Sequence, residues 1–332
     1  MEARVVEEIP SGPQWQYEPK WDGFRCLAFR DGDDVYLQSK AGQPLARYFP
    51  EVVAAVKALR PKRFVIDGEL VVPVEGSVDF EVLLLRIHPA ASRVAMLAKA
   101  HPATYVIFDL LEVGEGDDVL TSLPTSERRE RLERFAQTAF VDDRVRLSPA
   151  SRERKIVDRW FGMVGGALDG IVAKRLDAAY ASGERTAMIK VKRLRTADCV
   201  VGGFRYAAKG KGLGSILLGL YDEEERLHYV GFTSGFAGRA KEEVLEKLER
   251  LRGPSAFGAG GPGGPSRWKK REEDDWQPVK PKLVLAVRFD QTTGERFRHG
   301  TRPLRWRPDK APQQCTLDQI AGAKGSPLEL LR

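Results

Sequence analysis

Phe64-Val65-Ile66-Asp67-Gly68-Glu69-Leu70-Val71-Val72 is the stretch that most narrows what this chain can fold into. Its apolar positions are unbroken except at the centre. That is the pattern of a strand covered on both faces, so Val65, Ile66, Leu70, Val71 and Val72 are assigned to core. Two carboxylates inside such a strand cost free energy unless they are paired, hydrogen-bonded or bound to a metal. The plainer alternative is a bulged edge strand. The design recurs: Tyr105-Val106-Ile107-Phe108-Asp109-Leu110-Leu111 is an apolar strand carrying an acid, with Phe108 as a core candidate. Leu168 to Arg175 has Asp169 at its head and Lys174 at its tail. Met188-Ile189-Lys190-Val191-Lys192 sets two lysines on one face, because strand side chains alternate. Like charges on one face repel unless an anion lies between them; a solvated face is the alternative.

Helical patterns separate these strands. One opens at Phe49-Pro50-Glu51 and runs to Leu59, one or two cover 80–100, and an Arg/Glu-rich one with a cap runs from Ser126 to Ala139. Another runs from Ser151 to Val164, ended by Gly165-Gly166. Residues 24–30 and 35–38 read as a hairpin around Asp31-Gly32-Asp33-Asp34. Residues 1–19 read as a short lead-in segment. Composition changes after Arg195. From there, short strands (199–204, 215–221, 227–232, 283–289) with glycine turns surround one helix, Ala240 to Leu251, and a Gly/Pro/Ser-rich stretch at 253–266 reads as a long flexible loop. These features fit a small, partly open barrel of the oligonucleotide-binding kind. The expected fold class is α+β: antiparallel sheets with flanking helices over 1–195, then an OB-fold β-barrel domain over 196–332, each long enough for its own core.

The net charge is +7, and it is unevenly spread. Residues 196–332 hold 24 Lys and Arg against 18 Asp and Glu, whereas residues 1–195 hold 30 against 29. The excess points to a polyanionic partner, with simple solubility as the bland alternative. Three dispersed cysteines and four histidines argue against a disulfide frame, a zinc cluster or a histidine metal site. No apolar run is long enough to span a membrane, and the N-terminus lacks a signal-peptide pattern. The expectation is a cytoplasmic protein with no membrane partner.

Tyr17-Glu18-Pro19-Lys20-Trp21-Asp22-Gly23-Phe24-Arg25 places a lysine two residues ahead of an Asp-Gly turn, with an arginine beyond. A lysine amine is a nucleophile only when deprotonated, and nearby positive charge or burial favours that form. Arg25 offers a planar fork suited to phosphate or ribose oxygens. A surface turn with a solvated lysine is the alternative for this stretch alone.

The order of these motifs resembles the covalent nucleotidyltransferase superfamily, and more closely the bacterial ATP-dependent DNA ligases of the DNA ligase C type. Lys20-Trp21-Asp22-Gly23-Phe24-Arg25 is similar to motif I, with Lys20 the site of adenylylation. Ser39-Lys40-Ala41-Gly42 is similar to the next motif, where the family more often has arginine in place of Lys40. Asp67-Gly68-Glu69 resembles motif III, and Phe108-Asp109 the motif whose ring stacks on the base. Asp169 to Lys174 resembles motif IV, where many ligases have glutamate in place of Asp169. Lys190-Val191-Lys192 resembles motif V, and Arg305-Trp306-Arg307-Pro308-Asp309-Lys310 motif VI. The resemblance implies that residues 1–195 are a nucleotidyltransferase (adenylation) domain.

It further implies that Lys20 attacks the α-phosphate of ATP, that Lys190 and Lys192 hold that phosphate, and that Glu18 accepts from the adenine amino group. Phe108 would stack on the ring; Arg25, Lys40, Glu69 and Lys174 would complete the nucleotide site. Asp169, with Glu69, would bind magnesium or manganese. Arg305, Asp309 and Lys310 would orient pyrophosphate. The partner implied is nicked double-stranded DNA, with DNA-repair proteins as further partners, and the protein is expected to be a monomer. The rival readings are an RNA ligase or capping-type nucleotidyltransferase, and a non-enzymatic nucleic-acid-binding protein with a basic barrel. Labelled ATP against GTP, and nicked DNA against nicked RNA, separate the first group; absence of any protein–AMP adduct would mark the second.

Overall fold

The computed structural model describes residues 1–114, 119–164, 168–207, 212–258, 262, 276–321 and 327–331. The chain divides into two compact units, Met1–Arg193 with Ala323–Arg332, and Leu194–Gly322.

Two sheets organise the first unit. The larger has five strands in the order Asp34–Ser39, Phe24–Asp31, Arg63–Val71, Thr104–Val113 and Val145–Leu147, antiparallel except for the last pair. Strand Arg63–Val71 is therefore central, and an edge position for Asp67 and Glu69 is not what the chain adopts. Its alternation divides the residues cleanly. Phe64, Ile66 and Leu70 join the core under helices Pro50–Ala58 and Thr125–Ala139, with Val52, Val56, Leu132 and Phe135. Asp67, Glu69 and Val71 take the opposite face. The helix at 125–139 carries no side-chain cap. Thr125 and Ser126 instead donate their hydroxyls to the carbonyls of Ala178 and Leu176.

The second sheet has four strands in the order Ala3–Val6, Met188–Val191, Leu168–Arg175 and Trp15–Trp21, with only the first pair parallel. Residues 1–19 are thus two strands rather than a lead-in segment. Trp21 and Leu168 of this sheet pack with Val71 and Val106 of the other. Helix Arg154–Gly162 covers it through Val157 and Trp160, which meet Tyr17, Ile171, Ala173 and Ile189; Gly165 and Gly166, expected to end that helix, lie outside the described residues. The C-terminal turn Pro327–Leu331 also belongs to this unit, because Leu328, Leu330 and Leu331 bury against these clusters. A single division at residue 195 places that turn with the barrel instead.

The second unit is a barrel in the strand order Leu227–Thr233, Leu213–Tyr221, Arg195–Tyr206, Val284–Phe289 and Arg302–Trp306, with Gln277–Pro278 paired beside the long central strand. A parallel bridge between Thr233 and Thr301 joins the two ends of that order. There Thr301 N and Oγ1 donate to the Phe232 carbonyl, and Thr233 Oγ1 donates to the Thr301 carbonyl. Helix Arg239–Glu249 supplies Val244 and Leu248 to the barrel core. Half of the stretch expected as a flexible loop, 259–261 and 263–266, lies outside the described residues.

Gly170 marks a close approach between strands of the smaller sheet. It faces Lys20 across the strand pair, its φ is 149°, and a Cβ there would stand 2.0 Å from the Val191 carbonyl oxygen. Gly170→Ala should destabilise the first unit by about 3 kcal/mol, through backbone strain and a clash that no side-chain rotation relieves. Urea unfolding followed by Trp fluorescence tests this; a loss below about 0.5 kcal/mol would contradict it.

Candidate active site

Alternation in strand Trp15–Trp21 sends Tyr17 and Trp21 to the packed side and Glu18 and Lys20 to the other. Cross-strand pairing sets Val172 opposite Glu18 and Lys190 opposite Val172, and Val5 opposite Lys190. These side chains form one wall of a cavity of about 330 Å³. The five-stranded sheet contributes Arg25, Glu69 and Phe108, and Lys40 and Lys174 also line it.

Two bulges place the critical side chains. Register shifts between Leu168 and Gly170, so Asp169 has no direct partner on the lysine strand. A bulge re-aims one side chain at the cost of one ladder position. Here it lets the buried Asp169 carboxylate reach Lys20 Nζ at 2.5 Å through Oδ2 and Lys192 Nζ at 3.2 Å through Oδ1. The second shift falls between Asp67 and Gly68, where strand Thr104–Val113 carries Phe108 as its extra residue. Phe108 is not core: it lines the cavity, with Lys174 Nζ 4.8 Å above its ring centre. At motif I, Gly23 is required by close approach, since a Cβ would lie 2.1 Å from the Leu70 carbonyl oxygen.

The acids are paired as their burial requires. Glu18 receives Lys174 Nζ at 2.8 Å and Gln16 Nε2 at 3.0 Å. Lys174 also donates to the Phe108 carbonyl at 3.0 Å, which locks both groups at the back of the site. Arg25 grips Asp67 with two hydrogen bonds, 3.1 and 2.7 Å, and donates to the Met1 carbonyl and the Tyr180 hydroxyl. Its fork is therefore already filled, although its side chain still lines the cavity. Glu69 is half-buried, and burial pushes its carboxyl up to about 7 against the pull of Lys20 and Arg25. Lys190 is lowered from the usual lysine value by burial and by the charges of Lys20, Lys192 and Lys40, against the opposing pull of Asp169.

Lys20, Glu18, Arg25, Lys40, Glu69, Phe108, Lys174 and Lys190 thus line one cavity, and Asp169 and Lys192 join them through Lys20. Arg305, Asp309 and Lys310 belong to the second unit. There Arg305 is exposed, Lys310 Nζ contacts Asp198 at 3.0 Å, and Arg307 bridges Asp198 and Asp309 at 2.8 Å each. Arg307 holds the Asp309 carboxyl down at about 2. Sequence reasoning missed Glu2 and Arg185, which also line the cavity. No local signal marked them: one sits in a segment read as lead-in and the other in a polar loop. Among the described residues no group of three His, Cys, Asp or Glu is arranged around a metal position. A divalent cation would take the Glu69 carboxyl once ionised and the Asp169 oxygens that here face Lys20 and Lys192, with its other oxygens from phosphate and water.

A family model described as the ATP dependent DNA ligase domain matches residues 3–192, and another described as the ATP dependent DNA ligase C terminal region matches residues 209–310. The chain is 44% identical over 338 residues to DNA ligase C2 of Mycolicibacterium smegmatis, covering 96% of this chain and 93% of that protein. It is 42% identical over 336 residues to DNA ligase C of Mycobacterium tuberculosis, covering 96% and 92%. Among solved structures, a Lig E DNA ligase described as binding DNA with a minimal scaffold superposes with a TM-score of 0.52 at 18% identity, covering 92% of this chain and 100% of that one. At that identity the likeness concerns the fold.

Glu69 gives a pH-dependent stability. Below about 4.5 the carboxyl is protonated in both folded and unfolded chains, and nothing is lost. Between 4.5 and about 7 the unfolded chain ionises first, so folding weakens as pH rises; above 7 the loss is constant. Glu69→Gln escapes this loss. In metal-free buffer its stability gain over the native chain should be near zero at pH 4 and on the order of 2 kcal/mol at pH 8. Equal offsets at both pH values would contradict the assignment.

Proposed function

The chain belongs to the ATP-dependent DNA ligases, and from that premise we propose that it seals 5′-phosphate/3′-hydroxyl nicks in duplex DNA through an AMP carried covalently on Lys20. One observation carries this reading: the Lys20 amine is held by Asp169 at the edge of a cavity that also gathers Lys190, Phe108 and Glu69. Lys20 must lose a proton before it attacks, and Asp169 Oδ2 is an acceptor within reach. The amine then forms a phosphorus–nitrogen bond to the α-phosphate as the bond to pyrophosphate breaks. Lys190 and Lys192 would neutralise the phosphate oxygens as charge builds on them. Phe108 would stack on the adenine. Glu18, whose two oxygens already accept from Lys174 and Gln16, would face the amino group with its remaining lone pairs. Asp169 and Glu69 would hold magnesium or manganese, which supplies further neutralisation of phosphate charge.

The AMP would next pass to the 5′-phosphate of the nick, and attack by the 3′-hydroxyl would release it. Arg305, Asp309 and Lys310 would orient pyrophosphate in the first step. That role requires the barrel to adopt one orientation on ATP and another on DNA, with a hinge near the 193–195 boundary. Its basic excess supports sequence-independent, salt-sensitive binding. The identity to DNA ligases over nearly the whole chain favours DNA over the RNA-directed alternatives. No helix among the described residues is long and apolar enough to cross a membrane, and Cys26, Cys199 and Cys315 are buried and unpaired. The proposed setting is a cytoplasmic monomer serving DNA repair, and the free cysteines fit a reducing compartment.

Lys20→Ala should abolish the acid-labile protein–AMP adduct formed with labelled ATP while leaving DNA binding within about twofold; residual charging would mean another nucleophile. Asp309→Ala should slow self-adenylylation at least tenfold more than sealing of a pre-adenylated nick, and equal losses would remove the proposed division of roles.

A further inference from the structure

Glu2 is a carboxylate that the proposed reaction does not use, and it occupies a place where an anion is wanted. Strand Ala3–Val6 lies parallel to Met188–Val191, and Glu2 N donates to the Glu184 carbonyl at 2.7 Å. This anchoring sets the Glu2 side chain between two cations from distant parts of the chain. Oε1 is 3.2 Å from Lys40 Nζ, and Oε2 is 3.0 Å from the Arg185 guanidinium. All three line the same cavity as Lys20. Both cations are otherwise largely exposed, 59% for Lys40 and 68% for Arg185, so each is open to a ligand from solvent. Hydrogen bonds from Lys40 and Arg185 hold Glu2 below the usual carboxylate range.

We propose that the Glu2 carboxylate stands in for a phosphate, bridging Lys40 and Arg185 until a phosphate group of a substrate displaces it. The inference rests on the reading of this cavity as the nucleotide site. A carboxylate and a phosphate are both oxyanions that a lysine and an arginine fork can bind, and the phosphate brings more charge and more acceptor oxygens. Displacement therefore trades the two Glu2 ion pairs for stronger ones to the same cations. Until then Glu2 keeps two like charges from repelling at an open cavity edge. The chemistry is shared by the polyphosphate tail of ATP and by the 5′-phosphate of a nicked strand, and the two sources are distinguished by experiment.

Equilibrium binding of inorganic tripolyphosphate, and of nicked duplexes bearing either a 5′-phosphate or a 5′-hydroxyl, is measured for the native chain, Glu2→Gln, Glu184→Gln and Glu2→Gln/Arg185→Ala. Glu184 is the control: it removes the same charge from a neighbouring residue whose carboxylate accepts from Thr186. Glu2→Gln should tighten tripolyphosphate, or the 5′-phosphate duplex but not the 5′-hydroxyl one, about threefold, the scale of one exposed ion pair. The gain should vanish in the double variant and be absent in Glu184→Gln. No gain in either arm, or an equal gain in Glu184→Gln, overturns the proposal. Adduct formation on Lys20 is read separately, so a chain that takes no label from ATP speaks against the proposed function, while normal charging with no Glu2 effect speaks against this inference alone.

Discussion

Two ammonium groups share one buried carboxylate in this protein. Asp169 meets Lys20 and Lys192 together, and it does so because a bulge takes it out of register with the lysine strand. An unpaired carboxylate at that depth would cost several kcal/mol, and two lysines in a half-buried wall would repel. The triad satisfies most of both demands at once. Gly170 is the backbone price of that geometry, since its conformation and its closeness to Val191 leave no room for a side chain.

The same logic extends outward as layers of charge. Behind Lys20, Glu18 and Lys174 form a closed pair under the Phe108 ring. Beside it, Arg25 and Asp67 join the two sheets' edge to Tyr180 and to the first residue of the chain. The first pair is buried on both sides, and in the second Asp67 is buried while Arg25 is partly so. By contrast Lys190, Lys40 and Arg185 face the cavity, and burial, followed by the charges of Lys20, Lys192 and Lys40, lowers Lys190. A site of this kind is made of a neutralised frame and a cationic lining. Such a lining is completed by an anionic ligand, which is the electrostatic counterpart of the nucleotide chemistry proposed for it.

The barrel follows different rules. Its main core cluster is apolar, with the buried Thr233 and Thr301 hydrogen-bonded where the strand order closes, and its ionic cluster joins Asp198 of the long strand to Arg307, Asp309 and Lys310 just past the last strand. Of these groups only Asp309 is well exposed, and its pair with Arg307 is of the kind that is weak in water. Asp309 can leave that partner at little cost, which suits a residue proposed to act in only one step of a reaction.

Much of this was legible in the chain before any fold was known. The apolar strands, their embedded acids and the order of the lysine motifs marked most of the elements and the residues proposed to carry chemistry, because alternation and burial cost are local properties. Three matters were settled only in three dimensions. Phe108 leaves the core and Asp169 reaches two lysines because bulges shift the register, and a bulge depends on the partner strand as much as on the residue itself. Arg25 turns to Asp67, and Glu2 reaches Lys40 and Arg185, because the sheets bring together residues far apart in sequence. The tail at 327–331 packs beneath Trp21 for the same reason. Sequence alone determined which groups are proposed to take part; the pairing of charges across strands, set by the free energy of burying them, decided which group meets which.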